Sequence, residues 1–300
     1  MNKTFFTLGV LLGIFITSTI LAEDKIKVVV TYPYIESIVR EIGRDVVIIT
    51  TLAKGTEDPH FVVPKPSLIG RLRQADILFI NGASLEIGFL PPLLKQANNP
   101  KINPGSEYFI DLSKTVELIN KPYNVSRSEG DVHPEGNPHY YLSYKNLPRI
   151  AEGIKNGLIR VRTDKQEFFE ANFTDFIRRF EEKKKEWDER LSKIKGCKLI
   201  QYHRMFNYVA MDANCSIFAE IEPKPGIPPT AKHIESIIEK SKGQKILKII
   251  GDDYHEIKSV KKLSEETKIP YIILPHDVNS LSEVKDIFSL YDFIVRRLTE

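Results

Sequence analysis

The sequence predicts an α/β fold built as two parallel-sheet units tied together by one long helix. Three observations carry this reading. Strand-like and helix-like segments alternate over residues 25–120 and again from Lys198 onward. The strand-like segments are continuously apolar, as expected of strands buried on both faces in a parallel sheet. Between the two halves an aromatic stripe recurs at helical spacing from Phe169 to Ile194.

In the first half, strands are predicted over residues 26–31, 46–52, 76–81 and 108–112, with helices at 35–42 and 66–74 between them. The second half repeats the logic with strands at 198–202, 216–221, 246–250 and 271–274. Its helices fall at 232–240, 259–267 and 282–298. Each half therefore reads as a Rossmann-like lobe.

The linking helix is read from Phe169, Phe173, Phe176, Phe180, Trp187, Leu191 and Ile194, which form one apolar stripe. Thr163 and Asp164 supply its N-cap, and it ends before Gly196. Arg178, Arg179, Glu181, Glu182 and the lysines at 183–185 form its solvated face. A helix this long spans roughly 45 Å. As a stiff connector it should let the lobes move little. A coiled-coil dimer is the competing reading, but aromatic rings suit packing on a lobe flank, so a monomer is expected. The division predicted is 1–22, 23–162, 163–195 and 196–300.

Residues 1–22 read as a secretory signal: Lys3, then an uncharged apolar run, then the small Ala22 at the cut, although Ile20 is a large residue at the minus-three position. No cysteine follows the run, so no lipid anchor is expected and the location predicted is periplasmic. The segment carries one charge, leaving 42 basic against 40 acidic residues. That near balance gives no case for nucleic acid or an anionic membrane. Cys197 and Cys215 each lie beside a strand. They could pair in an oxidising compartment or remain two buried thiols.

Three histidines sit just past predicted strands or in tight loops: His60 in Asp58-Pro59-His60, His139 in Gly136-Asn137-Pro138-His139, and His203 after Tyr202. Their spacings match no local zinc-finger or zinc-protease pattern. Strand ends that converge can hold one ion among widely separated side chains. In Pro275-His276-Asp277 either His276 or Asp277 could complete a tetrahedral nitrogen and oxygen site, or Asp277 could cap the following turn. His133 could assist capture, although simple solvation is the expectation for it, and His233 and His255 read as surface residues. Glu220 and Glu222 serve the rim of a cleft or end a strand. No glycine-rich phosphate loop or serine elbow is present. A zinc-dependent envelope hydrolase would need Glu57 or Asp58 as its base, and nothing else supports one.

These residues resemble the family of metal-binding lipoproteins and periplasmic proteins that deliver zinc or manganese to ABC importers. The resemblance rests on Asp58-Pro59-His60 with Pro64-Lys65-Pro66-Ser67, on Gly136-Asn137-Pro138-His139, and on Tyr202-His203. The segment from Ile221 to Pro229, with Lys232-His233, is similar to one in a zinc-type subgroup. The resemblance implies two lobes joined by one long helix, a metal in the cleft, and His60, His139 and His203 as ligands. It implies Asp277 as the fourth ligand, with Asp58 used in some members, and an inner-membrane ABC permease as partner. The chain departs from the pattern where His276 precedes the acid, and where a long histidine-rich loop shrinks to the stretch around His133. Three imidazoles with a carboxylate or water favour zinc, with Mn2+ and Fe2+ behind it.

Overall fold

A computed structural model describes residues 24–122 and 133–300; the export signal predicted over 1–22 lies outside the described residues. Strands β1 (Ile26–Val30), β2 (Val47–Thr51), β3 (Ile77–Ile80) and β4 (Phe109–Asp111) form one sheet in the order β2-β1-β3-β4. Strands β5 (Lys198–Gln201), β6 (Ser216–Glu220), β7 (Lys248–Asp252) and β8 (Tyr271–Leu274) form the other, ordered β6-β5-β7-β8. Every strand pairing is parallel. In both sheets the chain leaves the inner first strand in one direction and then crosses back to the other side. That reversal opens a crevice beyond the carboxyl ends of the strands.

Burial on both faces holds for the inner strands, where Val28–Val30 and Ile77–Phe79 are closed off from solvent. It fails at the edges. Ile48 on β2 is 51% exposed, and β6 is at best half-buried, because an edge strand has a neighbour on one side only. Strand β7 begins two residues later than expected, since Lys248 is the residue that pairs with Leu199 of β5. Cys197 and Cys215 form a disulfide. They precede Lys198 and Ser216, which are register partners in neighbouring strands, so the sheet itself brings the sulfurs together.

Helices α1 (Pro33–Gly43), α2 (Ser67–Arg73), α3 (Leu90–Ala97) and α4 (Leu147–Val161) cover the first sheet. Helix α4 is the one that the His139 loop feeds, and Leu147, Ile150, Ala151, Ile154 and Leu158 give it a regular buried stripe. Its Gly157 is a point of close approach: a Cβ there would lie 2.6 Å from the Phe79 ring.

The linking helix is α5 (Gln166–Ser192), 27 residues and about 40 Å long. It starts later than expected because Thr163–Lys165 form a separate 3-10 turn, and no side chain caps its first turn. Phe169, Phe176, Phe180, Trp187 and Leu191 are buried as the stripe requires, while Phe173 and Ile194 are half-buried against the same core. Asn172 joins them, its Nδ2 donating to the Ile42 carbonyl at 2.9 Å.

The second sheet carries α6 (Asn207–Asp212), α7 (Ala231–Ser241), α8 (Lys258–Thr267) and α9 (Ile287–Thr299). Helix α9 starts at 287 because Asp286 is extended and closes a capping box with Ser289. It packs on α5 and reaches α1. Trp187 Nε1 donates to Asp292 at 2.8 Å, and the Ile287 amide donates to the Ser37 hydroxyl at 3.0 Å. One continuous apolar cluster therefore includes Val29, Ile38 and Leu158 of the first half with Leu199, Ile250 and Leu290 of the second. A smaller cluster around Ile200, Ile234, Ile249 and Leu263 fills the far face of the second sheet.

Candidate metal centre

Each candidate histidine stands beyond the carboxyl end of a strand. His60 follows β2, His139 closes the connection after β4, and His203 comes two residues after β5. The fold brings all three together. One ring nitrogen from each lies within 4.8 Å of the others, and the ring centroids are 5.2 to 5.4 Å apart. A tetrahedral zinc site, with bonds of about 2.0–2.1 Å, spaces its donors about 3.3 Å apart. Small side-chain movements close that difference.

Local bonding fixes two of the rings. Asp58 Oδ1 accepts from the His60 amide at 2.9 Å and from its Nδ1 at 3.0 Å. Burial alone would raise the Asp58 carboxyl, but its hydrogen bonds from the His60 ring and amide hold it below its ordinary value. His203 Nδ1 donates to Glu222 Oε2 at 2.6 Å with both side chains buried. An ionised carboxylate only accepts, so in each pair Nδ1 carries the hydrogen and Nε2 the lone pair that a metal needs.

His139 is held differently. Its amide donates to Asn137 Oδ1 at 2.9 Å, while Asn137 Nδ2 donates to the Arg204 carbonyl at 2.6 Å. Tyr208 donates its hydroxyl to the Asn137 carbonyl at 2.8 Å. The His139 loop is thus bolted to the second half. The ring is buried, and neither nitrogen has a hydrogen-bond partner among the described residues. Burial first, then the neighbouring imidazoles, pushes its pKa well below the usual histidine value and keeps it neutral.

The other candidates stand around this triad. Asp277 is buried, and the lack of solvent raises its carboxyl to about 7 against the opposing pull of His276. It accepts from the Val278 amide at 2.6 Å and from the Tyr34 backbone at the start of α1, so a second-half carboxylate caps a first-half helix. His276 sends Nδ1 to Asp253 at 2.5 Å and Nε2 to the Glu57 carbonyl at 3.1 Å. Both partners only accept, so both ring nitrogens donate; burial alone would lower the pKa, but Asp253 together with Asp277 and Asp252 raises it.

Two expectations fail here. His255 is no plain surface residue: Nδ1 faces Asp252 at 2.8 Å, Nε2 faces Glu222 at 3.5 Å, and the ring stacks on Tyr202. His133 is not simply solvated: it is half-buried, its ring 5.4 Å from His60. The residue beside the triad that sequence reasoning undervalued is Glu222, the partner of His203. Its only sequence signal is a carboxylate directly after a predicted strand.

Comparisons with known proteins identify the family and the fold. A family model described as "ZnuA: Zinc-uptake complex component A periplasmic" matches residues 28–299. The manganese ABC transporter substrate-binding lipoprotein PsaA of Streptococcus anginosus is 26% identical over 251 residues, covering 82% of this chain and 78% of that protein. The zinc-binding lipoprotein AdcA of Streptococcus pneumoniae is 24% identical, covering 87% of this chain but 52% of its own length, so the chain spans about half of that relative. A crystal structure of ZnuA superposes with a TM-score of 0.76 at 23% identity, covering 92% of this chain and 98% of that one. The manganese-bound periplasmic metal-binding protein of Candidatus Liberibacter asiaticus gives 0.76 at 19% identity, covering 92% of this chain and 98% of its own. At these identities the structural likeness fixes the fold.

Proposed function

The chain belongs to the family of periplasmic zinc-uptake complex component A proteins, and from that premise we propose that it captures one divalent ion, zinc in preference to manganese or iron, and hands it to an ABC-type permease. The family is one of transport binding proteins and not of enzymes. The single observation that carries the reading is the convergence of ring nitrogens from His60, His139 and His203 within 4.8 Å. Three imidazoles suit zinc, whereas manganese sites usually replace one with oxygen.

In this reading His60 and His139 come from the first lobe, residues 23–162, and His203 from the second, residues 196–300, with 163–195 as the link. The fourth position falls to Asp277 by resemblance, with Asp58 and His276 as the lesser choices. Work outside the inner membrane follows the family's periplasmic description and the signal read at 1–22, and a monomer is supported by the α5 stripe packing on this chain's own core.

Titration of the metal-free protein with zinc, using a competing chelator, tests this. One zinc should bind per chain, more tightly than manganese. His60→Ala, His139→Ala and His203→Ala should each weaken it by more than the 10- to 100-fold typical of losing a supporting residue. Unchanged affinity in all three variants would remove the site. A manganese receptor is the second reading, favoured by the likeness to PsaA. It predicts the reverse metal preference.

A further inference from the structure

We propose that the fourth donor to the ion is Nε2 of His133, which gives this chain an all-imidazole shell. The inference rests on the three-histidine reading above and displaces Asp277 from the fourth position that the resemblance gave it. His133 lies beside the triad, its ring centroid 5.4 Å from that of His60. Its Nδ1 is 3.0 Å from the Ala83 carbonyl. A carbonyl can only accept, so Nδ1 carries the hydrogen and Nε2 carries a lone pair. That nitrogen is shut away from solvent with no hydrogen-bond partner among the described residues.

A buried, unpartnered acceptor costs about 1–3 kcal/mol when nothing fills it. An imidazole beside the triad that donates one N–H to a backbone carbonyl and keeps a buried lone pair on its other nitrogen has the bonding of a metal ligand with its supporting partner. Asp58 plays that supporting part for His60, and Glu222 for His203.

The segment bearing His133 is fixed in place. The Gly136 amide donates to the His133 carbonyl at 3.1 Å, the Asn137 amide donates to the Ile119 carbonyl at 2.8 Å, and Ser84 donates to Glu135 at 2.8 Å. The rival donor, Asp277, is already engaged by the Val278 and Tyr34 amides and so has work as a helix cap joining the two halves. His133 would have to swing inward, since its ring lies 5.4 Å from that of His60 while its nitrogens stand outside the group that converges within 4.8 Å. Four nitrogen donors on a tetrahedron also favour zinc over manganese more strongly than three do with a carboxylate.

The test uses the full chain loaded with one equivalent of zinc. X-ray absorption fine structure counts the imidazoles on the ion, and chelator competition gives zinc and manganese affinities. The expected result is four imidazoles in the parent protein. His133→Gln should leave three with one oxygen, weaken zinc about 10- to 100-fold, and narrow the preference for zinc over manganese. Asp277→Asn should leave the imidazole count at four. If the parent shows three imidazoles and an oxygen lost in Asp277→Asn, with His133→Gln unaltered, this inference falls while the three-histidine site stands. If the parent binds no zinc, both fall together.

Discussion

His203 and Glu222 meet at 2.6 Å, nitrogen to oxygen, from the ends of two neighbouring strands, and both side chains are buried. The carboxylate is shared: its other oxygen is 3.5 Å from His255 Nε2, and His255 in turn faces Asp252. An imidazole oriented by a buried carboxylate keeps one tautomer and one ring angle. Glu222→Gln should therefore reduce zinc affinity about 10- to 100-fold with little loss of helix content, as competition titration and circular dichroism can measure. Parent-like affinity would make the pair merely structural.

The acid limb of stability should depend on His133. Burial holds this ring at about 3 in the folded protein, against about 6.5 when unfolded. The unfolded chain thus takes up the proton first. The contribution is present above about pH 6.5 and is lost as pH falls toward the folded value. At pH 5 the loss comes to about 2 kcal/mol. His139 pulls the same way, while His255 and His276, whose values are raised, pull against it. Urea titrations of the metal-free protein at pH 7 and 5 should show a smaller decline in His133→Gln than in the parent. An equal decline in both would refute this.

Removal of the ion should leave the protein folded. The core runs through both halves and does not depend on the metal site. Chelation should lower the melting temperature only by the binding contribution, about 2.7 kcal/mol at a hundredfold excess over Kd. Loss of near-ultraviolet circular dichroism on chelation at 25 °C would instead assign the ion a structural role.

Gly55 is a contact between the halves. A Cβ there would sit 2.1 Å from the Val278 carbonyl, just beyond Asp277. Gly55→Ala should cost about 1–3 kcal/mol and spread the loops around the site, weakening zinc binding. Gly70→Ala is the control, because nothing lies within 4 Å of its Cβ. Identical melting curves for the two variants would argue against a tight junction.

Reduction of Cys197–Cys215 releases a crosslink between positions 18 apart. It should lower unfolding stability by about 3 kcal/mol, read as a shift in the urea midpoint with and without reductant. No shift would mean that the strand pairing alone holds the two segments.

The fold was legible in the sequence wherever one period persisted. The valines of β1 and the phenylalanines of α5 each repeat a single burial rule, and both appear where expected. His203 was legible because a strand end confines the next side chain to one rim, and His60 and His139 because Asp58-Pro59-His60 and Gly136-Asn137-Pro138-His139 read as tight loops. Partnerships were not. Glu222 lies 19 residues from His203, and only the parallel register of β5 and β6 makes them neighbours. His255 looks like a surface residue until Asp252 and Glu222 close around it. The cysteines stayed undecided for the same reason. Proximity across a sheet depends on register, and composition carries no record of register.

The bond from the Ile287 amide to the Ser37 hydroxyl joins positions 250 apart, and with Trp187 on Asp292 it seats α9 against α5 and α1. Helix α1 therefore cannot finish covering its apolar side until nearly all of the intervening chain has been made and delivered. Contacts so distant in sequence slow folding, and they leave Ile38 and its neighbours open to unwanted association in the meantime. The lobes look like separate beads on a rod, yet they must mature as one unit. A fragment ending after α5 should emerge sticky and incomplete.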